Sequence, residues 1–303
     1  MVKQGQKKED SIHLNVYGEI SSYPFKEHWT KVIGLRMHYV DEGPKEGPVI
    51  LLLHGVPSWS YIYRNIIPAL VNNGFRVIAP DMIGFGKSEK LVLASQHSYT
   101  YHIGWLSTFI NNLDLNQIVL FGQDWGAILG MHLAVRVPDR IRGLILSNGV
   151  ILTGEEKLPL IFYIWKWYTR FSPRLPVGRL IDFGCKRKLT KTERDAYEAP
   201  FLTKWKKSAI RALPSLVPTR PNHPTAHLAW EAWEKLVHWE KPVLTLFSDG
   251  DPITRNAEKM ILQRIPGASA QSHKKLIGGH FIQEDAPEEI VEQIIKFTKS
   301  IKQ

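Results

Sequence analysis

A chain of 303 residues is long for one domain and short for two independent ones, which favours a single core carrying an insertion. Hydrophobic residues at 44% and charged residues at 22% lie near the usual globular balance and exclude a disordered chain. With 39 basic and 29 acidic side chains the net charge is +10, and the one cysteine, Cys185, excludes an internal disulfide or a cysteine-based zinc site.

The start, MVKQGQKKED, is basic with no apolar run behind it, so a cleaved secretion signal is not expected. In chain order, predicted strands at 35–40, 49–53, 76–79, 117–121 and 141–146 alternate with helix-like stretches at 60–71, 100–112 and 127–137. Continuously apolar strands separated by helices imply a mostly parallel sheet covered on both faces. From 151 to 238 the chain is helix-like and rich in Trp and Pro, with no convincing strand. The strand–helix rhythm resumes at 242–247, 256–264, 274–277 and 288–299. The division expected is therefore a core at 1–151, a helical cap at 152–238 and the rest of the core at 239–303. Leaving after one strand and returning before another puts the cap at the strands' carboxyl ends, where an open α/β sheet has its active site.

Residues 151–240 hold 16 basic and 9 acidic side chains, so 7 of the 10 excess charges lie there. No nucleic-acid-binding signature accompanies them, and a solvated helix surface accounts for them. No stretch approaches the roughly twenty apolar residues of a membrane span. The expectation is a cytoplasmic monomer with neither nucleic acid nor membrane as a partner.

The segment Ile118-Val119-Leu120-Phe121-Gly122-Gln123-Asp124-Trp125-Gly126-Ala127 runs an apolar strand into small–x–Asp–x–small, with a helix behind it. That is the pattern of a nucleophile elbow, with Asp124 as the projected side chain. A carboxylate can displace a leaving group from an alkyl carbon, giving an ester that water must hydrolyse. The competing explanation is a turn aspartate capping the next helix. Leu51-Leu52-Leu53-His54-Gly55-Val56-Pro57 also ends an apolar strand in a tight turn. By analogy with α/β-hydrolases, the backbone N–H groups of Val56 and Trp125 would form an oxyanion hole, with His54 structural.

His280, in Leu276-Ile277-Gly278-Gly279-His280-Phe281, follows the last strand-like run and is the candidate base for the hydrolytic water. Its orienting carboxylate comes from Ser248-Asp249-Gly250-Asp251-Pro252, where Asp251 is favoured over Asp249. The other usual place for this acid, after the strand before the cap, holds Asn148, an amide that cannot be the anionic member. The order Asp124, Asp251, His280 is nucleophile, acid, histidine.

On these motifs, together with His54-Gly55-Val56-Pro57-Ser58-Trp59, Asp81-Met82-Ile83-Gly84-Phe85-Gly86-Lys87-Ser88, Tyr23-Pro24-Phe25 and Ala199-Pro200-Phe201, the chain resembles the haloalkane dehalogenases over nearly its whole length. The resemblance implies an α/β-hydrolase fold, in-line displacement of halide by Asp124, and hydrolysis of the alkyl-enzyme by water activated by His280. It implies no cofactor or metal; the partners are a small uncharged haloalkane, water and a halide ion. Halide in an apolar pocket needs uncharged donors, which indole N–H groups supply. Trp125 is one donor by family match. One branch of the family places an Asn where Val56 stands; the other takes a second Trp from the cap and its acid from the later strand, in agreement with Asn148 and Asp251. Within Phe162-Tyr163-Ile164-Trp165-Lys166-Trp167, Trp165 fits the family's Phe-x-x-Trp pattern and Trp167 is the alternative. An epoxide hydrolase, with the same nucleophile and with Tyr163, Tyr168 or Tyr197 as ring-protonating acids, is the rival reading.

Overall fold

The computed structural model describes residue 20 and residues 22–301. The MVKQGQKKED start, with the expectation attached to it, lies outside the described residues.

Eight strands form one sheet in the order β1-β2-β4-β3-β5-β6-β7-β8. They are β1 (His28–Val32), β2 (Leu35–Glu42), β3 (Val49–Leu53), β4 (Arg76–Pro80), β5 (Ile118–Gln123), β6 (Ile141–Ser147), β7 (Val243–Ser248) and β8 (Lys274–Leu276). β1 and β2 pair antiparallel, as do β2 and β4; every later pairing is parallel. The α/β-hydrolase architecture read from the sequence is present.

The buried strands are the ones that composition makes legible. β5, Ile-Val-Leu-Phe-Gly-Gln, and β7, Val-Leu-Thr-Leu-Phe-Ser, are buried at every residue, as strands covered on both faces must be. β1 is the strand that sequence patterning overlooks. His-Trp-Thr-Lys-Val sits at the sheet edge and is buried only at Val32, so its apolar content is too low to announce a strand. It turns into β2 through Ile33 and Gly34, both at positive φ. The stretch at 60–71, expected as one helix, breaks into a 3₁₀ turn, Ser60–Tyr63, and a short helix, α1 (Ile67–Asn72). Pro68 explains the break, since it lacks an N–H and fits only the first turn of a helix.

On the core, α2 (Tyr99–Asn112) and α3 (Trp125–Arg136) pack against each other, and α3 also covers β3, β5 and β6. Between Ser147 and Val243 the described residues form helices and no strand. These are α4 (Leu160–Phe171), α5 (Val177–Gly184), α6 (Lys191–Glu198), α7 (Ser208–Leu216) and α8 (Ala226–Leu236). α9 (Glu258–Arg264), α10 (Ile282–Asp285) and α11 (Pro287–Ser300) complete the core. The helical segment is anchored through its own side chains, as where Trp233 Nε1 on α8 donates to the Ile151 carbonyl at 3.1 Å.

Candidate active site

Asp124 stands at the turn between β5 and α3 with φ 54° and ψ −121°, a conformation L-residues avoid. The turn is tight because its flanks are glycines. A Cβ on Gly122 would lie 2.4 Å from the Gly126 carbonyl oxygen, and one on Gly126 would lie 1.9 Å from that of Leu53. The side chain does not cap α3; its Oδ2 accepts from the Val56 main-chain N–H at 2.9 Å. The Trp125 N–H opens the helix, where an amide has no partner along the helix itself. Of the two expected oxyanion donors, the Val56 N–H thus reaches the Asp124 carboxylate from the loop after β3, and Trp125 is the next residue along the chain.

The other carboxylate oxygen, Oδ1, is 3.6 Å from Nε2 of His280. On the far side of the ring, His280 Nδ1 is 2.9 Å from Oδ2 of Asp251. Asp251 is fully buried and further accepts from the Ile253 N–H at 2.9 Å and from the Thr254 hydroxyl. Asp249 is exposed, lines the cavity and accepts from the Gly278 N–H at 3.1 Å, with no bond to His280 among the described residues. Burial by itself disfavours a charged His280, but Asp251 and then Asp124 outweigh it and raise the ring to about 10. Asp251 is held below the usual carboxylate value against its own burial, chiefly by His280. The ring thus lies between two carboxyl groups that favour its protonated form.

Asn148, which sequence reasoning treats only as a missing acid, fixes this loop. Its Nδ2 donates to the His280 carbonyl at 2.9 Å and to Ser248 Oγ at 3.0 Å, and its Oδ1 accepts from the Ser248 N–H at 2.9 Å. Gln123, next to Asp124, donates to the same His280 carbonyl at 2.9 Å. His54 bonds the main chain with both ring nitrogens, to the Gly55 carbonyl at 2.9 Å and from the Met82 N–H at 3.0 Å.

Two further groups escape sequence reading because their partners are distant in the chain. Arg64 is buried and grips Glu284 with two bonds, at 2.6 and 3.0 Å, and Glu193 at 2.7 Å. Arg187 bonds Glu193 and Glu284, and the buried Tyr197 hydroxyl donates to Glu284. Beside them, Asp285 accepts from the main-chain N–H groups of Lys186, Arg187 and Gly279 at 2.7–3.0 Å. The available signal was that Glu284 and Asp285 stand four and five residues after His280.

A cavity of about 810 Å³ opens over Asp124 and His280. Trp125 and Trp165 both line it, with Ile128, Leu152, Phe162 and Val217 among its apolar walls. Trp167 does not line it and is 63% exposed. Tyr163 is exposed and off the cavity, and Tyr197 is spent on Glu284. Tyr168 lines the cavity, but its hydroxyl donates to the Arg174 carbonyl at 3.2 Å.

An aspartate on a strand–helix elbow, a histidine after the last strand and a cavity under inserted helices define an α/β-hydrolase, and a family model described as the alpha/beta hydrolase fold matches residues 48–287. A haloalkane dehalogenase of Mycolicibacterium paratuberculosis is 41% identical over 290 residues, covering 94% of this chain and 96% of the relative. Haloalkane dehalogenase 1 of Mycobacterium tuberculosis is 42% identical over 289 residues, covering 94% and 96%. A tetrameric haloalkane dehalogenase from Paraglaciecola agarilytica matches with a TM-score of 0.85 at 32% identity, over 92% of this chain and 95% of that one. The chain belongs to the haloalkane dehalogenase family.

Proposed function

We propose that this protein hydrolyses small uncharged haloalkanes to an alcohol, a halide ion and a proton, with Asp124 as nucleophile, His280 as base and Asp251 as its orienting acid. The observation that carries the reading is the division of labour within the Asp124 carboxylate. Oδ2 rests on the Val56 N–H, while Oδ1 is left toward His280 and the cavity. Oδ1 attacks the alkyl carbon, a C–O bond forms as the C–halogen bond breaks, and the halide leaves with the bonding pair. The indole N–H groups of Trp125 and Trp165 receive it, and their neutrality suits an anion that must later depart. This is the branch with a cap Trp as second donor, consistent with Val56 in place of an Asn.

Esterification removes the charge on Asp124, and with it one of the two carboxylates that keep His280 protonated. The ring then gives its proton to solvent and becomes a base, with Asp251 holding its Nδ1. Water attacks Cγ of the ester as Nε2 takes its proton. The negative charge gathers on Oδ2, where the Val56 and Trp125 N–H groups meet it. Collapse breaks the bond from Cγ to the alkoxy oxygen, and His280 Nε2 returns its proton to that oxygen to release the alcohol. The regenerated carboxyl then gives its proton to His280. No cofactor enters this cycle, and all of its groups come from one chain, so a monomer is sufficient. A cytoplasmic setting agrees with the single, buried thiol of Cys185.

The test is halide and proton release from 1-bromobutane and 1,2-dibromoethane, with styrene oxide in parallel. Bromide release that disappears in Asp124→Ala is the expected result. Diol from the epoxide without bromide would reassign the chemistry to Tyr168, the cavity-lining tyrosine, against the hydrogen bond that now occupies its hydroxyl.

A further inference from the structure

The cap helix α4 buries Phe162 and Thr169 and packs on α7, yet its opposite side is not polar. Leu160, Tyr163, Ile164, Trp167 and Phe171 are all exposed, Leu160 by 73%. Their spacing places them on neighbouring turns, so they form one apolar stripe rather than scattered contacts with water. Phe183, near the end of α5, is 81% exposed. Ile164 and Phe183 also line the cavity, so its opening and the stripe share residues.

The surrounding charge is of one sign. From 157 to 181 the sequence carries Lys157, Lys166, Arg170, Arg174 and Arg179 and no Asp or Glu. Four of the five are exposed and Lys166 is half-buried. Among the described residues none of them forms an ion pair. Asp182, the next acid along, is already engaged with the Leu189 N–H and Arg194. A second copy meeting this face through the same face would bring like charges together, which weighs against a symmetric self-contact. Aromatic and aliphatic side chains flanked by unpaired cations match the interface of an anionic bilayer: rings and aliphatic groups enter the headgroup boundary while cations meet phosphates.

We propose that the outer face of α4, together with Phe183, docks on anionic lipid surfaces, turning the cavity opening toward the lipid. This departs from the expectation that a membrane has no part; that expectation followed from the lack of a span, and surface docking needs no span. Vesicle docking stands independently of the haloalkane reading. Only the corollary, that apolar substrate enters from lipid, rests on it.

The experiment is co-sedimentation of the full chain with phosphatidylcholine vesicles, with or without phosphatidylglycerol. Binding should require phosphatidylglycerol and weaken as salt rises. Leu160→Ser with Phe171→Ser should weaken it at least about tenfold. Arg170→Glu and Arg174→Glu should each weaken it by roughly fivefold or more. All these side chains lie off the cavity, so turnover of dissolved 1-bromobutane should be unchanged and also reports that the variants fold. Absence of binding, equal binding to pure phosphatidylcholine, or binding indifferent to the four substitutions would each overturn the proposal. Sedimentation velocity showing a dimer that Leu160→Ser with Phe171→Ser dissolves would overturn it in favour of a self-interface. Loss of dehalogenation with vesicle binding intact would count against the proposed function and leave the docking surface standing.

Discussion

Two loops bring an aspartate to the same histidine, and they are built in opposite ways. The β5 elbow holds Asp124 in a conformation that side-chain-bearing residues avoid, with one oxygen on a single main-chain donor and the other facing a cavity. The β7 loop buries Asp251 completely and meets its carboxylate with an N–H, a hydroxyl and the imidazole. An oxygen meant to form a bond must remain under-coordinated and accessible; an oxygen meant to hold a charge in place is best saturated and kept from water. The contrast separates the two roles more sharply than their distances to His280 do.

The largest expected effect breaks the elbow side. Asp124→Asn should keep the fold, because Asn tolerates positive φ, and should lower steady-state turnover by roughly 10⁵–10⁶-fold. Tryptophan fluorescence should still be quenched by bromide, and residual turnover near wild type would refute the nucleophile. Breaking the other loop should give a different failure. Asp251→Asn is expected to cost about 10⁴-fold in turnover by presenting the wrong imidazole tautomer. The alkyl-enzyme should still form, visible as a mass increase on the Asp124 peptide after incubation with 1-bromobutane.

A smaller effect concerns the halide. Trp165→Phe should weaken bromide binding by about tenfold to a hundredfold, the worth of one hydrogen bond to a charge, whereas Trp167→Phe should leave it unchanged. Fluorescence titration with bromide distinguishes them, and the opposite ranking would exchange the two residues. The raised value of His280 also has a sign. Because the folded ring binds its proton more tightly than an unfolded one, its stabilisation is fully present below about pH 6.5 and is lost as pH rises through about 10. Wild type should lose more melting temperature than Asp124→Asn between those pH values, by roughly 2–4 °C if the difference is near one kcal/mol. The smallest effect belongs to Asp249→Asn. The amide oxygen can still accept from the Gly278 N–H, so turnover should match wild type and stability should lie within about 0.5 kcal/mol by urea titration.

How much of this was legible beforehand follows from where each signal is stored. The buried parallel strands and the elbow are local: a run of apolar residues and a pair of glycines around Asp124 are visible within ten positions. His280 was legible for the same reason, from the strand and glycines before it. Trp165 came from a family pattern and Asp251 from a turn. β1 was hidden because an edge strand with one buried residue carries little hydrophobic signal. Asn148 could be read as lacking a charge but not as the residue that ties the His280 carbonyl to Ser248, because that depends on three loops meeting. The Arg64–Glu284 pair spans 220 positions, and nothing near Arg64 in the sequence points to it.

That pair has a consequence for how separable the inserted helices are from the sheet. Glu284 is shared between Arg64, from the loop after β3, and Arg187 and Tyr197, from the helical insertion. Exchanging residues 152–238 for another enzyme's would keep Glu284 and Arg64 but remove three of the groups that satisfy them, Arg187, Glu193 and Tyr197. The Arg64–Glu284 pair would survive with fewer partners, and each lost hydrogen bond to a buried charge costs about 1.5–3 kcal/mol, together a large share of a domain's whole stability. The insertion is therefore not an interchangeable cassette. A transplant that succeeds must bring its own counterparts of positions 187, 193 and 197, or the core must give up its charges at 64 and 284 together.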